Sequence, residues 1–420
     1  MAYLNKFLSM KILYITSLYD LKNSSAAIRN NSLVKGLLEL GHIVDVWTVR
    51  WPSDLQSDFF IKESNYSTIT RFELSDISLN DSFKKSVRIS NPFINTIKKN
   101  IKKILFFPDV CRSWKNVKVD ENELLKYDLL ISSSDMKSSH FLADKIKDIN
   151  EQLPWVQIWG DPWSTDVNTP FYLKCISKYF EKRILRRGDL VFYVSLPTTK
   201  EMKILFPEFS DKINYVPRGY YSSVANPAER ISKDYHIVYT GALNEKRNIF
   251  NLAIVLDKYN KSHDKKILID VYGTFSDDLK TEMLKFESLQ LHKDVDYEKI
   301  PEIYSNSDAL LYLSNGSSTT QIPGKLYDYF GTQKSVICLV YDQNDEISKF
   351  LKTFSRCLLL ENSISAIEDN LKTLELSLNS VWDIDDAFSP ISIARQMIFL
   401  VEKIADSSKG SICIKSKDEL

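Results

Sequence analysis

Ser317-Ser318-Thr319-Thr320-Gln321-Ile322-Pro323-Gly324-Lys325-Leu326-Tyr327-Asp328-Tyr329-Phe330-Gly331 decides how this chain is read. It follows the apolar run Asp308–Leu313, which reads as a buried strand. After a polar loop, Pro323 and Gly324 open a helix and Gly331-Thr332 closes it. A second strand follows over Ser335–Val340. In an open parallel sheet such a loop lies at the carboxyl end of the strand, where ligands bind. The helix start offers unpaired backbone N–H groups and a positive dipole end, which suit a diphosphate. Lys325 adds a cation in the first turn, where it weakens the helix unless an anion is present. Asp328 lies one turn beyond Gly324 on the same face, placed to accept two hydrogen bonds from a ribose diol. Leu326, Tyr327 and Phe330 are better placed to pack on the sheet. A strand–loop–helix with a Lys and an Asp also occurs as plain structure, so the pattern leaves both readings open.

Composition bounds the rest. At 420 residues the chain exceeds one ordinary core, so two domains are expected. Hydrophobic residues at 44% and aromatic ones at 12% suffice for large buried sheets. Lys+Arg and Asp+Glu stand at 55 each, a balance that does not point to nucleic acid as a partner. Cys111, Cys175, Cys338, Cys357 and Cys413 are scattered and read as reduced thiols, and neither they nor the five histidines show metal-ligand spacing. No run is long enough to cross a membrane. Met1–Ser9 lacks a charged segment followed by an apolar one, so no signal peptide is expected. The closing Lys417-Asp418-Glu419-Leu420 is therefore not expected to act as a retention signal, and a cytoplasmic location is the expectation.

Earlier in the chain, Lys11–Ser17 reads as a strand, about Ala26–Leu40 as a helix ended by Gly41, and Ile43–Val49 as a second strand. This is a βαβ opening with a right-handed crossover. Arg29, near the helix start, reads either as charge for a phosphate or as a solvated helix residue. Residues 51–91 are polar and irregular. Over 94–107, Ile94, Ile97, Ile101, Ile104 and Leu105 share one helical face, and Lys98, Lys99, Lys102 and Lys103 its neighbour. That is the pattern of a basic amphipathic helix at an anionic membrane surface, or of a surface helix packed on its own domain. Tyr127–Ser134 and Trp155–Trp159 read as strands, and Leu190–Val194 as the last strand of this half. Asp161, in Gly160-Asp161-Pro162-Trp163 at a strand's carboxyl end, is the candidate catalytic carboxylate, or else a turn residue. Its flanking tryptophans suit a platform for stacking sugars. Ser389–Ile391 opens a terminal helix to about Ile404.

Ile322-Pro323-Gly324-Lys325-Leu326-Tyr327-Asp328-Tyr329 resembles the segment IPGKLYEYL found in a branch of the GT-B glycosyltransferases similar to glycosyltransferase family 4 (group 1). Met10–Thr16 and Leu37–His42 resemble the opening of the GT-B N-terminal domain, and Tyr215–Tyr220 the V-P-x-G segment that leads into the second domain. Asp294–Asp308 looks like the pattern V-x-Y-x-x-(L/I)-P-x-x-Y-x-x-(A/S)-D. The resemblance covers most of the chain, strong over 10–49 and 236–340 and weak over 50–125. It implies an α/β fold of two Rossmann-like parallel-sheet domains facing across a cleft. Residues 1–195 with a terminal helix 386–407 would form the acceptor side, and 215–385 the nucleotide-sugar side.

The resemblance also implies roles. Of the family's two spaced carboxylates, the one on the donor ribose matches Asp328, and Thr320 stands where the other contacts the sugar, with Thr319 beside it. The first loop carries Ser25-Ala26 in place of Gly-Gly, and Ala242 replaces an Arg that meets the diphosphate. Lys246 and Arg247 remain as candidate phosphate clamps, with Gly324 and Lys325 at the helix start and backbone near Val295 on the base. The implied activity is transfer of a sugar from a nucleotide-sugar donor to a glycan or lipid-linked glycan acceptor, in surface polysaccharide, capsule or lipopolysaccharide assembly. It is expected to be metal-independent and retaining, with no cofactor beyond the nucleotide sugar as co-substrate, and peripheral at the inner membrane face. The rival readings are a non-catalytic GT-B partner subunit and a nucleotide-sugar epimerase.

Overall fold

The computed structural model describes residues 9–57, 59, 64–77, 100–166, 169–227, 232–244, 247–314 and 321–415, with backbone alone over 405–415. Two compact units divide at Gly219/Tyr220 and again at Ser389/Pro390, so that the terminal helix joins the first unit.

The first unit's strands are β1 Lys11–Ile15, β2 Ile43–Val49, β3 Ser67–Phe72, β4 Leu129–Ser134, β5 Trp155–Trp159, β6 Leu190–Tyr193 and β7 Ile213–Tyr215. Among the described residues they form one sheet in the order β3-β2-β1-β4-β5-β6-β7, with every pair parallel. Helices cover both faces, so the central strands read as near-continuous apolar runs rather than alternating ones. The helix Ser25–Glu39 begins where the Ser24 hydroxyl accepts from the Ala27 N–H at 3.3 Å. Its Leu33, Val34 and Leu37 share a core with Ile393, Ala394, Met397 and Ile398 of the terminal helix Pro390–Lys415. Proline at the first position of that helix has no N–H to leave unpaired.

Two strands extend this sheet beyond the sequence reading. β3 lies inside the stretch left unplaced, paired parallel to β2 at the sheet edge, where only Ser67 and Ile69 are buried. β7 follows β6, so Leu190–Val194 is not the last strand of this half. The first unit accordingly runs on to Gly219 rather than to 195.

In the second unit β8 Tyr235–Thr240, β9 Ile267–Tyr272, β10 Leu289–His292, β11 Ala309–Leu313, β12 Ser335–Val340 and β13 Cys357–Glu361 form a parallel sheet. Its order is β10-β9-β8-β11-β12-β13. Both orders reverse direction once, between β1 and β4 and between β8 and β11. Loops diverge at such a switch point and leave a crevice at the carboxyl ends of the strands. The described part of the deciding stretch forms as read: after β11, and past 315–320, which lie outside the described residues, comes the helix Lys325–Phe330 with Leu326, Tyr327, Tyr329 and Phe330 buried, then β12. Among the described residues no helix is long and apolar enough to cross a membrane.

Candidate functional site

In the second unit, two cations gather at the β8–β11 switch point. Lys325, the first residue of its helix, turns back across the end of β8, where Nζ donates to the Thr240 carbonyl and sits 4.0 Å from the centre of the Tyr239 ring. Gly241 makes this approach possible. Its φ is +116°, and a Cβ there would stand 2.7 Å from Lys325 Nζ. At the hydroxyl end of Tyr239, Arg247 Nη1 donates to the Ala242 carbonyl at 2.9 Å, which also accepts from the Tyr239 hydroxyl at 3.0 Å. Burial, and then the Arg247 charge, push the Lys325 amine from 10.5 down to about 7, against the pull of Asp328. A lysine held in this way gains if an anion arrives.

Asp328 stands half-buried in the first turn of the same helix, and its Oδ1 accepts from the Tyr297 hydroxyl at 3.2 Å. Tyr297 comes from the segment after β10, just past Val295, which is half-buried in the loop 293–296. Lys325 and Asp328 on the helix after β11, Arg247 on the loop after β8 and the Val295 segment after β10 thus lie at one end of one sheet. Gly324 precedes the helix in helical conformation, with no side chain capping it. Lys246, Thr319 and Thr320 lie outside the described residues.

The first unit carries a second polar group. Asp161 follows β5 and Gly160, half-buried, and burial comes first among the causes that push its carboxyl up to about 6. The Asp135 and Asp166 charges act in the same direction, and Lys137 and Arg29 against it. Lys137 Nζ donates to the Asp161 carbonyl at 3.1 Å and lies 5.1 Å from the centre of the Trp159 ring. Asp135, whose charge acts on Asp161, is ion-paired to Arg29. Arg29 Nη2 meets Asp135 Oδ2 and the Ser133 hydroxyl, each at 3.2 Å. Below them Asn30 Oδ1 accepts from Ser133 at 2.6 Å and from Tyr14 at 2.9 Å. The contact is tight enough that a Cβ on Gly160 would stand 2.0 Å from Asp135 Oδ1.

These placements separate the sequence candidates. Arg29 is only 7% exposed, so it is no solvated helix residue, and its guanidinium faces Asp135. Ser25 is exposed at the first position of its helix. The sugar-stacking platform does not form, because Trp159 and Trp163 are both buried. Trp163 stacks on Phe107 at 5.5 Å and Trp159 packs on His140 at 4.3 Å, so their faces are spent inside the core. Sequence reasoning missed Asp135, Lys137, Asn30, Tyr239 and Tyr297 as members of these groups. Two of them left a signal: Asp135 as an acid at the polar tip of the β4 strand, and Tyr297 as the tyrosine of the V-x-Y pattern.

No protein-family model matches the chain, and no curated protein does. Solved structures do share its architecture. The catalytic domain of starch synthase IV from Arabidopsis thaliana, bound to ADP and acarbose, is 12% identical, with a TM-score of 0.61 over 95% of this chain and 100% of that one. TarM is 12% identical, with a TM-score of 0.53 over 99% of each chain. UDP-GlcNAc 2-epimerase from Methanocaldococcus jannaschii is 12% identical, with a TM-score of 0.52 over 94% of this chain and 100% of that one. Two Rossmann-like parallel-sheet domains wound in this order make the fold GT-B, shared with the starch synthase, TarM and the epimerase alike.

Proposed function

We propose that the chain is a glycosyltransferase that moves a sugar from a nucleotide-sugar donor to a glycan acceptor. One observation carries the reading: Lys325 is held over Tyr239 and Thr240 beside Arg247, at the switch point of the second sheet, with its amine pushed down to about 7. Two cations brought together without full hydration suit the diphosphate of a donor, and Asp328 with Tyr297 suits its ribose. The likeness to the family 4 segment at Ile322–Tyr329 supports the same assignment, with backbone near Val295 on the base. In transfer, the bond from the anomeric carbon to the diphosphate breaks and the electron pair leaves on phosphate, where Lys325 and Arg247 stabilise it. The acceptor oxygen bonds the same carbon with retention of configuration and gives up its proton to a carboxylate. Asp161 is the carboxylate assigned to the acceptor hydroxyl, with Arg29 and Asp135 fixing its surroundings.

Incubation of the purified protein with a panel of labelled nucleotide sugars and glycan acceptors tests this. Transferred label supports it. An epimerised sugar nucleotide released without acceptor would establish the epimerase reading, which the shared fold with UDP-GlcNAc 2-epimerase favours. Neither product from a protein that binds no nucleotide would make it a non-catalytic partner subunit.

Two results are expected of an active enzyme. Excess EDTA leaves transfer intact, because protein cations meet the phosphate charge; activity lost with EDTA and restored by Mg2+ or Mn2+ would overturn that assignment. With Asp161 raised to about 6 and working as a carboxylate, wild-type turnover climbs with pH through that value. Asp161→Asn should be slowed about 10²–10⁴-fold, the span of a positioned acid or base, and should show no such limb. A wild-type rate that is flat from pH 5 to 8 would remove Asp161 from the chemistry.

The acceptor we assign is a lipid-linked glycan of surface polysaccharide, capsule or lipopolysaccharide assembly, met at the inner membrane face through 94–107. Lysines near anionic headgroups contribute about 1 kcal/mol each before screening. Co-sedimentation with phosphatidylglycerol vesicles at low salt, lost on changing Lys98, Lys99, Lys102 and Lys103 together to Gln, is the expected outcome. Equal sedimentation of wild type and variant would remove the four lysines from membrane binding.

A further inference from the structure

The second unit carries a group of side chains that the nucleotide-sugar reading does not use. Ile237, Ile269 and Val271 pack into the core on one face of its sheet, and Val238 and Tyr272 pack on the other. Asp270, between Ile269 and Val271 in sequence, shares the second face by the alternation of a strand. There its Oδ2 meets His236 Nδ1 at 2.7 Å and its Oδ1 meets His292 Nε2 at 2.7 Å. The His292 ring is itself stacked on Tyr272 at 4.2 Å. Burial pushes the Asp270 carboxyl up, but the hydrogen bonds and charges of the two histidines hold it below its ordinary value.

That fixes the protons. An ionised carboxylate only accepts, so His236 Nδ1 and His292 Nε2 each carry a hydrogen. In its neutral form His236 then has a lone pair on Nε2, which faces the Ser232 Oγ at 2.9 Å. The same Oγ accepts from the Asp234 N–H at 3.1 Å, which leaves the hydroxyl hydrogen for His236. Ser232, His236 and Asp270 thus stand in series: a hydroxyl, a base within reach of it, and an acid that orients the base. This is the arrangement of an activated nucleophile, which is recognised by geometry and recurs on unrelated folds.

A cavity of about 460 Å³ opens on all three side chains. That volume is within the range of small-molecule sites, about 300–1,000 Å³. Val238, Tyr272 and Ile303 line its apolar part. Lys299 and Asn306, at the two ends of the helix Ile300–Ser305, line it as well and are the side-chain donors open to a developing oxyanion. Glu302 on the same wall opposes the Lys299 charge, which suits an uncharged ligand.

We propose that Ser232, His236 and Asp270 form an acyl-transfer site that cleaves small uncharged carboxylic esters. Ser232 Oγ bonds the carbonyl carbon while its proton passes to His236 Nε2. The bond to the alcohol oxygen then breaks, and that oxygen takes the proton from His236. Water repeats the sequence on the acyl-serine and releases the acid. Asp270 is a positioning residue that acts through His236.

Reaction of the full chain with a dialkyl fluorophosphate, read by peptide mass spectrometry, tests the proposal without donor or transfer. Oγ bonds phosphorus, fluoride leaves and the proton passes to His236, so the dialkylphosphoryl group should be found on Ser232. 4-Nitrophenyl acetate should acetylate the same residue. Labelling needs neutral His236, which the Asp270 hydrogen bond raises above 6.5 against burial, with the Asp270, Asp308 and Asp234 charges acting the same way. The rate should therefore climb with pH, with a midpoint above 6.5. Ser232→Ala should lose the label while melting like wild type, and His236→Gln should label about 10²-fold more slowly or worse, the span of a positioned base. Asp270→Asn should slow labelling and move the midpoint down, which a merely structural carboxylate would not do. Label on Tyr272 or elsewhere with Ser232 unmodified, a rate flat across that pH range, or wild-type labelling in His236→Gln would overturn the site. The peptide map and pH profile of wild type decide the matter even where a variant does not fold. A protein labelled on Ser232 that transfers no sugar fails only the transferase reading.

Discussion

Lys325→Met is expected to move stability and donor binding in opposite directions. The amine is desolvated between Tyr239, Thr240 and Gly241 and repelled by Arg247, so removing its charge should stabilise the second unit. Replacing buried ionic groups by apolar ones of similar volume is worth up to about 1–4 kcal/mol. The same change removes a cation from the leaving diphosphate, and turnover should fall about 10²–10³-fold, as for loss of one preorganised donor. The pH dependence has a definite sign. Lys325 falls from 10.5 to about 7 on folding, so between those values the unfolded chain holds the proton that the folded chain gives up. The lysine's penalty is therefore complete below about 7 and fades as pH rises toward 10.5, and wild type gains on Lys325→Met across that window. A bound diphosphate raises the amine again. Binding of nucleoside diphosphate at pH 8 should thus take up part of a proton, seen by calorimetry in buffers of different ionisation enthalpy. A Met variant that melts lower than wild type and binds diphosphate equally well would remove Lys325 from the site.

How far the sequence shows this arrangement depends on how local each signal is. The run from β11 through Lys325–Phe330 to β12 is legible because each element carries its own signal: apolar runs bounded by turn residues, then Pro323 and Gly324 at the helix start. β3 is not legible, because an edge strand half in water, Ser-Thr-Ile-Thr-Arg-Phe, has too few apolar residues to stand out. β7 has only three residues and depends on β6 for its existence. Trp159 and Trp163 mislead for a different reason. Tryptophans at a strand's end look like a platform, yet their large apolar area is worth more against Phe107 and His140 in the core.

The candidate groups divide in the same way. Asp328 and Lys325 are three residues apart on one helix, so the sequence places them together. Arg29 and Asp135 are separated by 106 residues, and only the adjacency of β1 and β4 joins them. No spacing rule finds such a pair. Likewise Tyr297 meets Asp328 across 31 residues, because the segment after β10 and the helix after β11 both return to one end of the sheet. What the sequence hides is the polar network that sets the charge on Asp161.

Asp328→Ala is expected to weaken nucleotide binding by about 1.5–3 kcal/mol, the range for hydrogen bonds to a charged group. At about 1.4 kcal/mol per decade this is a loss of roughly 10–150-fold in affinity. The carboxylate is half-buried and its Oδ1 holds the Tyr297 hydroxyl, so the change in stability should stay near the net worth of one such bond and of a first-turn acid, about 1 kcal/mol. Affinity alone does not identify the contact, because a distorted Val295–Tyr297 segment would also weaken binding through the base. The ribose distinguishes the two. Wild type should prefer a nucleoside diphosphate to its 2′,3′-dideoxy analogue by a similar margin, since the analogue leaves the carboxylate unpaired. Asp328→Ala should bind both alike, while Tyr297→Phe, which keeps the acid and frees its Oδ1, should retain most of the preference. Calorimetry on the two ligands and three proteins closes the cycle. If Asp328→Ala still discriminates against the dideoxy analogue as wild type does, the ribose lies elsewhere and the helix after β11 serves the phosphates alone.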